Sequence, residues 1–174
     1  MTAPEPTPDE IAALLQVEHL LDQRWPETKI EPSTARISAL MEILGSPQRG
    51  YPCIHVGGTN GKTSVARMID ALLTALHRRT GRTTSPHLQS AVERIAIDGK
   101  PVSPATYVDT YREIEPFVQL VDQQSEEAGG PPMSKFEVVT AMAFAAFADA
   151  PVDVAVVEVG LGGRWDATNV VNAP

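Results

Sequence analysis

The chain has 174 residues, of which 43% are hydrophobic and 21% charged, and its formal net charge is −8. That length and composition suit one globular domain able to bury its own core. The acidic balance argues against an electrostatic grip on nucleic acid or an anionic membrane. The single cysteine, Cys53, excludes a disulfide framework and a cysteine-rich metal site. The longest apolar run, Ala141 to Ala148, is far short of the ~20 residues of a membrane span. The N-terminus lacks an apolar signal core. The expectation is a soluble, cytoplasmic domain of α/β type.

In chain order, residues 1–8 hold prolines at 4, 6 and 8 and read as a flexible leader. Asp9 is placed to cap a helix through about Arg24, with Ile11, Leu14, Leu15, Glu18 and Leu21 at helical spacing. A loop through Pro26 and Pro32 follows. Ser33 opens a second helix carrying Ile37, Leu40, Met41 and Leu44, and Gly45 ends it. Cys53 to Val56 form a short strand. It runs into a glycine-rich loop and a helix from Lys62 to about Arg79, with Val65, Met68, Ile69, Leu72, Leu73 and Leu76 in helical period. Gly81 reads as a turn before a short strand at Arg82–Thr84. Ser85-Pro86-His87-Leu88 is loop, because proline biases Ser85 to extended backbone.

Arg94 to Ile97, Asp98-Gly99 and Lys100 to Val102 read as a hairpin with a preferred two-residue turn. Ser103 caps a helix broken at Pro116 and resumed to about Glu127. After Gly129-Gly130-Pro131-Pro132, an alanine-rich apolar helix runs from Ser134 to Asp149. Val152 to Glu158 is a near-continuous β-branched run, as in a central parallel strand. Strands alternating with helices imply a mostly parallel sheet flanked by helices. Ligands in such sheets bind at the carboxyl ends of the strands, and both glycine-rich loops stand there.

The first loop is Gly57-Gly58-Thr59-Asn60-Gly61-Lys62-Thr63-Ser64. Glycines let backbone N–H groups converge on phosphate oxygens, and the helix N-terminus adds partial positive charge. Lys62 supplies a full charge to β- and γ-phosphates. Thr63 and Ser64 offer hydroxyls to phosphate or its magnesium. The usual phosphate-loop spacing wants glycine at position 56, where this chain has Val56. The second loop follows Glu158 with Gly160, Gly162, Gly163, Arg164, Asp166, Thr168 and Asn169. A carboxylate at a strand tip beside a phosphate loop suits magnesium, a hard ion with oxygen ligands. Asp166 fits a turn or a cap as readily as a ligand contact, and Arg164 fits a surface charge. Phe136 with Glu137 fits a core aromatic and a helix-N-terminal acid. Ser85 and His87 face the same rim. His55 reads as a core histidine, His19 and His77 as surface, and no histidine pair has metal-ligand spacing.

Four separated motifs resemble one family. They are Gly58-Thr59-Asn60-Gly61-Lys62, Ser85-Pro86-His87-Leu88 with Glu93-Arg94-Ile95, Phe136-Glu137 with Thr140, and Glu158-Val159-Gly160-Leu161-Gly162-Gly163-Arg164 with Asp166-Ala167-Thr168-Asn169. Together they resemble the dihydrofolate synthase/folylpolyglutamate synthase family, relatives of the Mur cell-wall ligases. The resemblance implies that residues 9–174 are the N-terminal part of an ATP-binding, Mur ligase-like domain. It implies an ATP-dependent ligase that adds L-glutamate to dihydropteroate or folate through an acyl phosphate.

The resemblance makes Lys62 and Glu158 catalytic, Gly58, Thr59, Asn60, Gly61, Lys62, Thr63 and Ser64 the ATP site, and Ser85 and Glu158 ligands to magnesium, with two ions in the complete enzyme. It makes Ser134, Lys135, Phe136, Glu137, Trp165, Asp166, Ala167 and His87 the pterin or folate contacts. The implied partners are ATP, dihydropteroate or folate, and L-glutamate, with neither nucleic acid nor membrane, and a monomeric full-length enzyme. Thr63 stands where many folate enzymes have glycine, and Gln89 and Ala91 make the stretch after His87 less typical. By the same resemblance, the family's third magnesium ligand, a carbamylated lysine, the adenine pocket and a glutamate-binding domain lie beyond residue 174. Two alternatives stand beside this reading: a Mur-type ligase acting on a cell-wall precursor, and a non-catalytic nucleotide-binding module. Ser-Pro-His-Leu and the Phe-Glu helix start speak against the Mur type.

Overall fold

The structure, a computed structural model, describes residues 5–24 and 33–171. The expected loop through Pro26 and Pro32 lies outside the described residues. So does the start of the expected leader, whose last residue, Pro8, already opens a helix. Helix α1 spans Pro8–Asp22, and its cap is Thr7 rather than Asp9. The Thr7 hydroxyl accepts from the Glu10 N–H at 3.3 Å, and the Glu10 carboxylate accepts from the Thr7 N–H at 2.7 Å. This reciprocal box needs a hydroxyl three residues before a glutamate, and Pro8 presets the first helical φ. Helix α2 spans Ala35–Ile43. The Ser33 hydroxyl accepts from the Ala35 N–H at 3.0 Å, and Gly45, at φ +79°, follows the last turn.

Strand β1 is Cys53–Val56, α3 is Lys62–Ala75 and β2 is Thr80–Thr83. Helix α3 ends four residues before the expected Arg79. His77 takes the left-handed conformation at φ 57°. Its N–H donates to Thr74 O and the Arg78 N–H to Leu73 O, both at 3.0 Å. That is the Schellman closure, normally made by glycine. Gly81, expected to turn the chain, instead lies inside β2. A Cβ there would stand 2.5 Å from the Phe147 ring, so glycine lets an aromatic side chain lie against the strand.

Strands β3 (Ile95–Ile97) and β4 (Lys100–Pro101) form the expected hairpin about Asp98 and Gly99, both at positive φ. Helix α4 is Pro104–Glu127 and α5 is Lys135–Asp149. The expected break at Pro116 does not occur. Ile114, Val118 and Val121 are all buried, and their packing on both sides of the proline offsets its missing N–H donor. Strand β5 is Val154–Glu158.

The five strands lie in the order β1-β5-β2-β3-β4. β1, β5 and β2 are parallel, and β3 and β4 extend the sheet antiparallel beyond β2. The sheet is thus α/β with helices on both faces, and mixed rather than mostly parallel. β5 is buried on both sides. Ala155 and Val157 enter the larger core with α1, α2, α4 and α5, while Val156 joins Val56 and Ala66 beneath α3. Among the described residues, no helix is long and apolar enough to cross a membrane.

Candidate functional site

The parallel register puts the ends of β1, β5 and β2 at one level. Val56 lies beside Glu158, and Thr83 beside Val157. The first glycine loop, the second glycine loop and the Ser85 loop therefore leave the sheet side by side. The Val159 N–H donates to Val56 O at 3.0 Å and holds the two glycine loops together.

In the first loop Gly58 (φ +143°) and Gly61 (φ +75°) take conformations that side chains rarely adopt. Gly61 is the cap residue of α3, and no side chain caps that end. Its first N–H groups are open to an anion, and the helix dipole favours one. The stem of Lys62 runs beside Gly58, with its Cγ 3.8 Å from where a Cβ would stand. Ser64 is exposed, whereas Thr63 is half-buried. The Thr63 hydroxyl donates to Glu158 Oε1 at 2.8 Å, and the Ser85 N–H donates to Glu158 Oε2 at 3.2 Å. Glu158 is 3% exposed. One buried carboxylate thus ties the phosphate-loop helix to the Ser85 loop. Its oxygens and the Thr63 hydroxyl are hard oxygen donors of the kind magnesium takes, and Ser85, whose N–H lies on the same carboxylate, carries a further hydroxyl beside them in sequence.

The second loop is built by Asp166. Its Oδ1 accepts from the Thr168 N–H (3.0 Å) and the Thr168 hydroxyl (2.6 Å), and its Oδ2 from the Gly162 N–H (3.1 Å). The Asn169 amide donates to Gly163 O at 2.8 Å. Asp166 therefore caps the 3₁₀ turn Ala167–Val170. His55 Nε2 lies 2.7 Å from the Thr168 hydroxyl. Burial holds His55 below the usual histidine range, with the charge of Asp166 pulling the other way. Ala167 is buried, and the Arg164 guanidinium carbon lies 5.5 Å from the centroid of the exposed Trp165 ring.

Beside this loop stands the N-terminus of α5. Ser134 and Glu137 form a capping box, and the Arg36 Nε donates to the Glu137 carboxylate at 3.2 Å. Gly160 sits against Phe136, where a Cβ would fall 2.5 Å from the ring. Lys135 pairs with Asp22 of α1. Across the rim, the Arg94 Nε donates to His87 Nδ1 at 3.0 Å. Burial first, then the Arg94 and Lys135 charges, keep His87 below its ordinary pKa. An accepting Nδ1 leaves the His87 proton on Nε2. The expected residues thus stand as 58–64 with Ser85 and Glu158, 165–167 beside the α5 N-terminus at 134–137, and His87 in the loop that follows β2. Cys53 lies apart, in β1, and burial pushes its thiol up to about 12, which makes it unsuited as a nucleophile.

Sequence reasoning missed Arg36, which holds Glu137, the α1 residues Glu18 and Asp22, and Arg24 just past that helix. The Glu18 carboxylate accepts from the Ala91 N–H at 3.2 Å. The one signal for it was an acid standing within an apolar helical stripe.

No family model matches the chain. Over 172 residues it is 82% identical to the dihydrofolate synthase/folylpolyglutamate synthase of Mycobacterium tuberculosis, covering 97% of this chain and 35% of that protein. The chain belongs to the dihydrofolate synthase/folylpolyglutamate synthase family. Solved structures of folylpolyglutamate synthases agree. One, of the Mycobacterium tuberculosis folylpolyglutamate synthase complexed with ADP, superposes with a TM-score of 0.90 at 80% identity, over 95% of this chain and 36% of that one. Another is a bifunctional folylpolyglutamate synthase/dihydrofolate synthase with Mn, AMPPNP and L-glutamate bound. It matches with a TM-score of 0.77 at 31% identity, over 97% of this chain and 38% of that one. The chain spans about a third of the length of these relatives.

Proposed function

We propose that this chain supplies the ATP-phosphate grip and the pterin side of an ATP-dependent ligase that adds L-glutamate to dihydropteroate or folate. The observation that carries the reading is the buried Glu158 carboxylate, held between Thr63 of the phosphate-loop helix and the Ser85 N–H. In this reading the N–H groups of residues 58–63 surround the ATP phosphates, and Lys62 balances charge at the γ-phosphate. Thr63, Ser85 and Glu158 would hold magnesium, which when bound neutralises phosphate charge. The substrate carboxylate attacks the γ-phosphorus, the bond to the bridging oxygen breaks, and ADP leaves. The glutamate amine then attacks the acyl carbon of the resulting acyl phosphate and expels phosphate. Neither step calls for a protein nucleophile, in keeping with the buried, inert Cys53.

Phe136, flanked by Ser134, Lys135 and Glu137, gives the flat pterin an apolar wall. His87, with its proton on Nε2, offers a donor from the opposite side, and Trp165, Asp166 and Ala167 close the third. We place residues 9–174 in the first part of the ATP-binding domain of a monomeric, cytoplasmic protein that uses two magnesium ions when complete. The relatives' folate-based names and their complexes with ADP, AMPPNP, Mn and L-glutamate support this reading over a cell-wall substrate. Calorimetry with the 174-residue chain tests the first half: ATP-magnesium and dihydropteroate each bind. A protein of the relatives' length that carries this sequence tests the second half. It releases phosphate with dihydropteroate and glutamate, and release only with muramyl peptides overturns the folate reading.

A further inference from the structure

Among the described residues helix α1 makes no hydrogen bond or ion pair to the phosphate side of the site, yet three polar residues at or just past its C-terminal end reach three different segments of the pterin side. Glu18 accepts from the Ala91 N–H at 3.2 Å. Asp22, one turn further along the same helix face, pairs with Lys135. Arg24, just past the helix, donates to Asp122 Oδ2 at 2.9 Å and to Met133 O at 3.3 Å. Asp122 in turn accepts from the Met133 N–H at 2.7 Å. The helix itself is fixed, because Leu14, Val17 and Leu21 are buried in the main core.

The two ends of these ties are the two walls of the proposed pterin site. Ala91 opens the turn in which the Glu93 carboxylate gathers the N–H groups of Leu88, Gln89 and Ser90. These contacts hold Glu93 below the usual carboxylate range. Arg94, at the end of that turn, orients His87. Lys135 and Met133 flank the Ser134 cap that presents Phe136. Tyr107 of α4, 0% exposed, has a hydroxyl with no hydrogen-bond partner among the described residues.

We propose that α1 is a strap that sets the distance between the His87 loop and the 133–137 cap, with Glu18 as the positioning residue for the first wall and Asp22 with Arg24 for the second. This rests on the assignment of those walls to the pterin side. Among the described residues the hydrogen bond that the Glu18 carboxylate accepts comes from the Ala91 N–H, so an amide in its place keeps the tie and a methyl group removes it.

The test compares Glu18→Ala and Glu18→Gln in the 174-residue chain by calorimetry and amide hydrogen exchange. In Glu18→Ala the exchange protection of Leu88 to Ala91 falls, and dihydropteroate binds about tenfold more weakly, the scale of one hydrogen bond. ATP-magnesium affinity is unchanged, and Glu18→Gln restores dihydropteroate affinity to about twofold of the parent. A general loss of stability moves both ligands together, so equal weakening of both overturns the strap. Unchanged dihydropteroate binding in Glu18→Ala, or failure of Glu18→Gln to rescue it, overturns it as well. If the parent chain binds no dihydropteroate, the pterin assignment fails, while exchange at residues 88–91 in the ligand-free variants still shows whether Glu18 holds that loop.

Discussion

The two glycine loops leave neighbouring parallel strands at the same level, but one is left open and the other is tied shut. Gly58 to Gly61 are exposed, and their N–H groups find no acceptor among the described residues. The loop after Glu158 has its carboxylate clamp, its side-chain amide bond and an aromatic ring against its first glycine. The difference follows from what each must meet. A loop that wraps phosphate keeps its donors free for the ligand, and the cost of leaving them unpaired is small while water reaches them. A loop that serves as a wall spends its donors on itself and is rigid before any ligand arrives.

The comparison predicts that damage to the open loop costs function without stability, and damage to the closed loop the reverse. The largest functional effect is expected from Lys62→Ala. ATP-magnesium affinity should fall about 100-fold or more, with the melting temperature unchanged within error. A drop in melting temperature with affinity intact breaks the contrast. Glu158→Gln comes next. The amide oxygen can accept from the Ser85 N–H while its NH2 donates to the Thr63 hydroxyl, so the fold should hold, while the lost charge weakens divalent-ion binding about 10- to 100-fold, measured by manganese titration in the presence of ATP.

In the closed loop, Asp166→Ala removes the acceptor for three donors and a cap. It should cost about 2 kcal/mol in denaturant unfolding and leave ATP-magnesium affinity within about twofold of the parent. Gly160→Ala drives a methyl group into the Phe136 ring. The expected cost is about 1–3 kcal/mol in denaturant unfolding, with ATP-magnesium affinity unchanged.

The same contrast explains what could be read from the chain alone. The open loop was legible because its chemistry is local: glycines, lysine and hydroxyls follow one another in sequence. β5 was legible from its β-branched run, and the hairpin from Asp-Gly. The closed loop was legible only as a glycine-rich stretch. From sequence Asp166 fits a cap or a ligand contact equally, because its partner Thr168 is tied to His55 across 113 residues. Where a local rule was followed too closely, tertiary packing decided otherwise. Gly81 is a bed for Phe147 and not a turn, Pro116 is carried through by the buried stripe of α4, and α3 ends at a histidine doing the work of a glycine. Glu18 stood in the apolar stripe of α1 and was counted with it. Only the fold shows that its partner is the Ala91 N–H, 73 residues away.

The smallest expected effect concerns pH and separates the loops once more. The Thr168 hydroxyl gives its only proton to Asp166, so the 2.7 Å contact with His55 requires Nε2–H to donate to the Thr168 oxygen. His55 is therefore the donor at the head of a relay that ends on the closed loop's own clamp. Its pKa is lowered in the fold, chiefly by burial. In the unfolded chain it takes a proton at about pH 6.5, before the folded chain does. Stability contributed by the neutral ring is thus fully present above that value and falls as pH drops below it. The melting temperature should decline from pH 7.5 to pH 5.5, and His55→Gln should flatten part of that decline. An NMR titration should find the His55 midpoint below 6.5, with the amide signals of Gly162 and Thr168 moving in step and those of Gly58 and Gly61 still. A midpoint above 6.5, or movement in the open loop alone, removes the relay and with it the claim that β1 braces the second loop through this histidine.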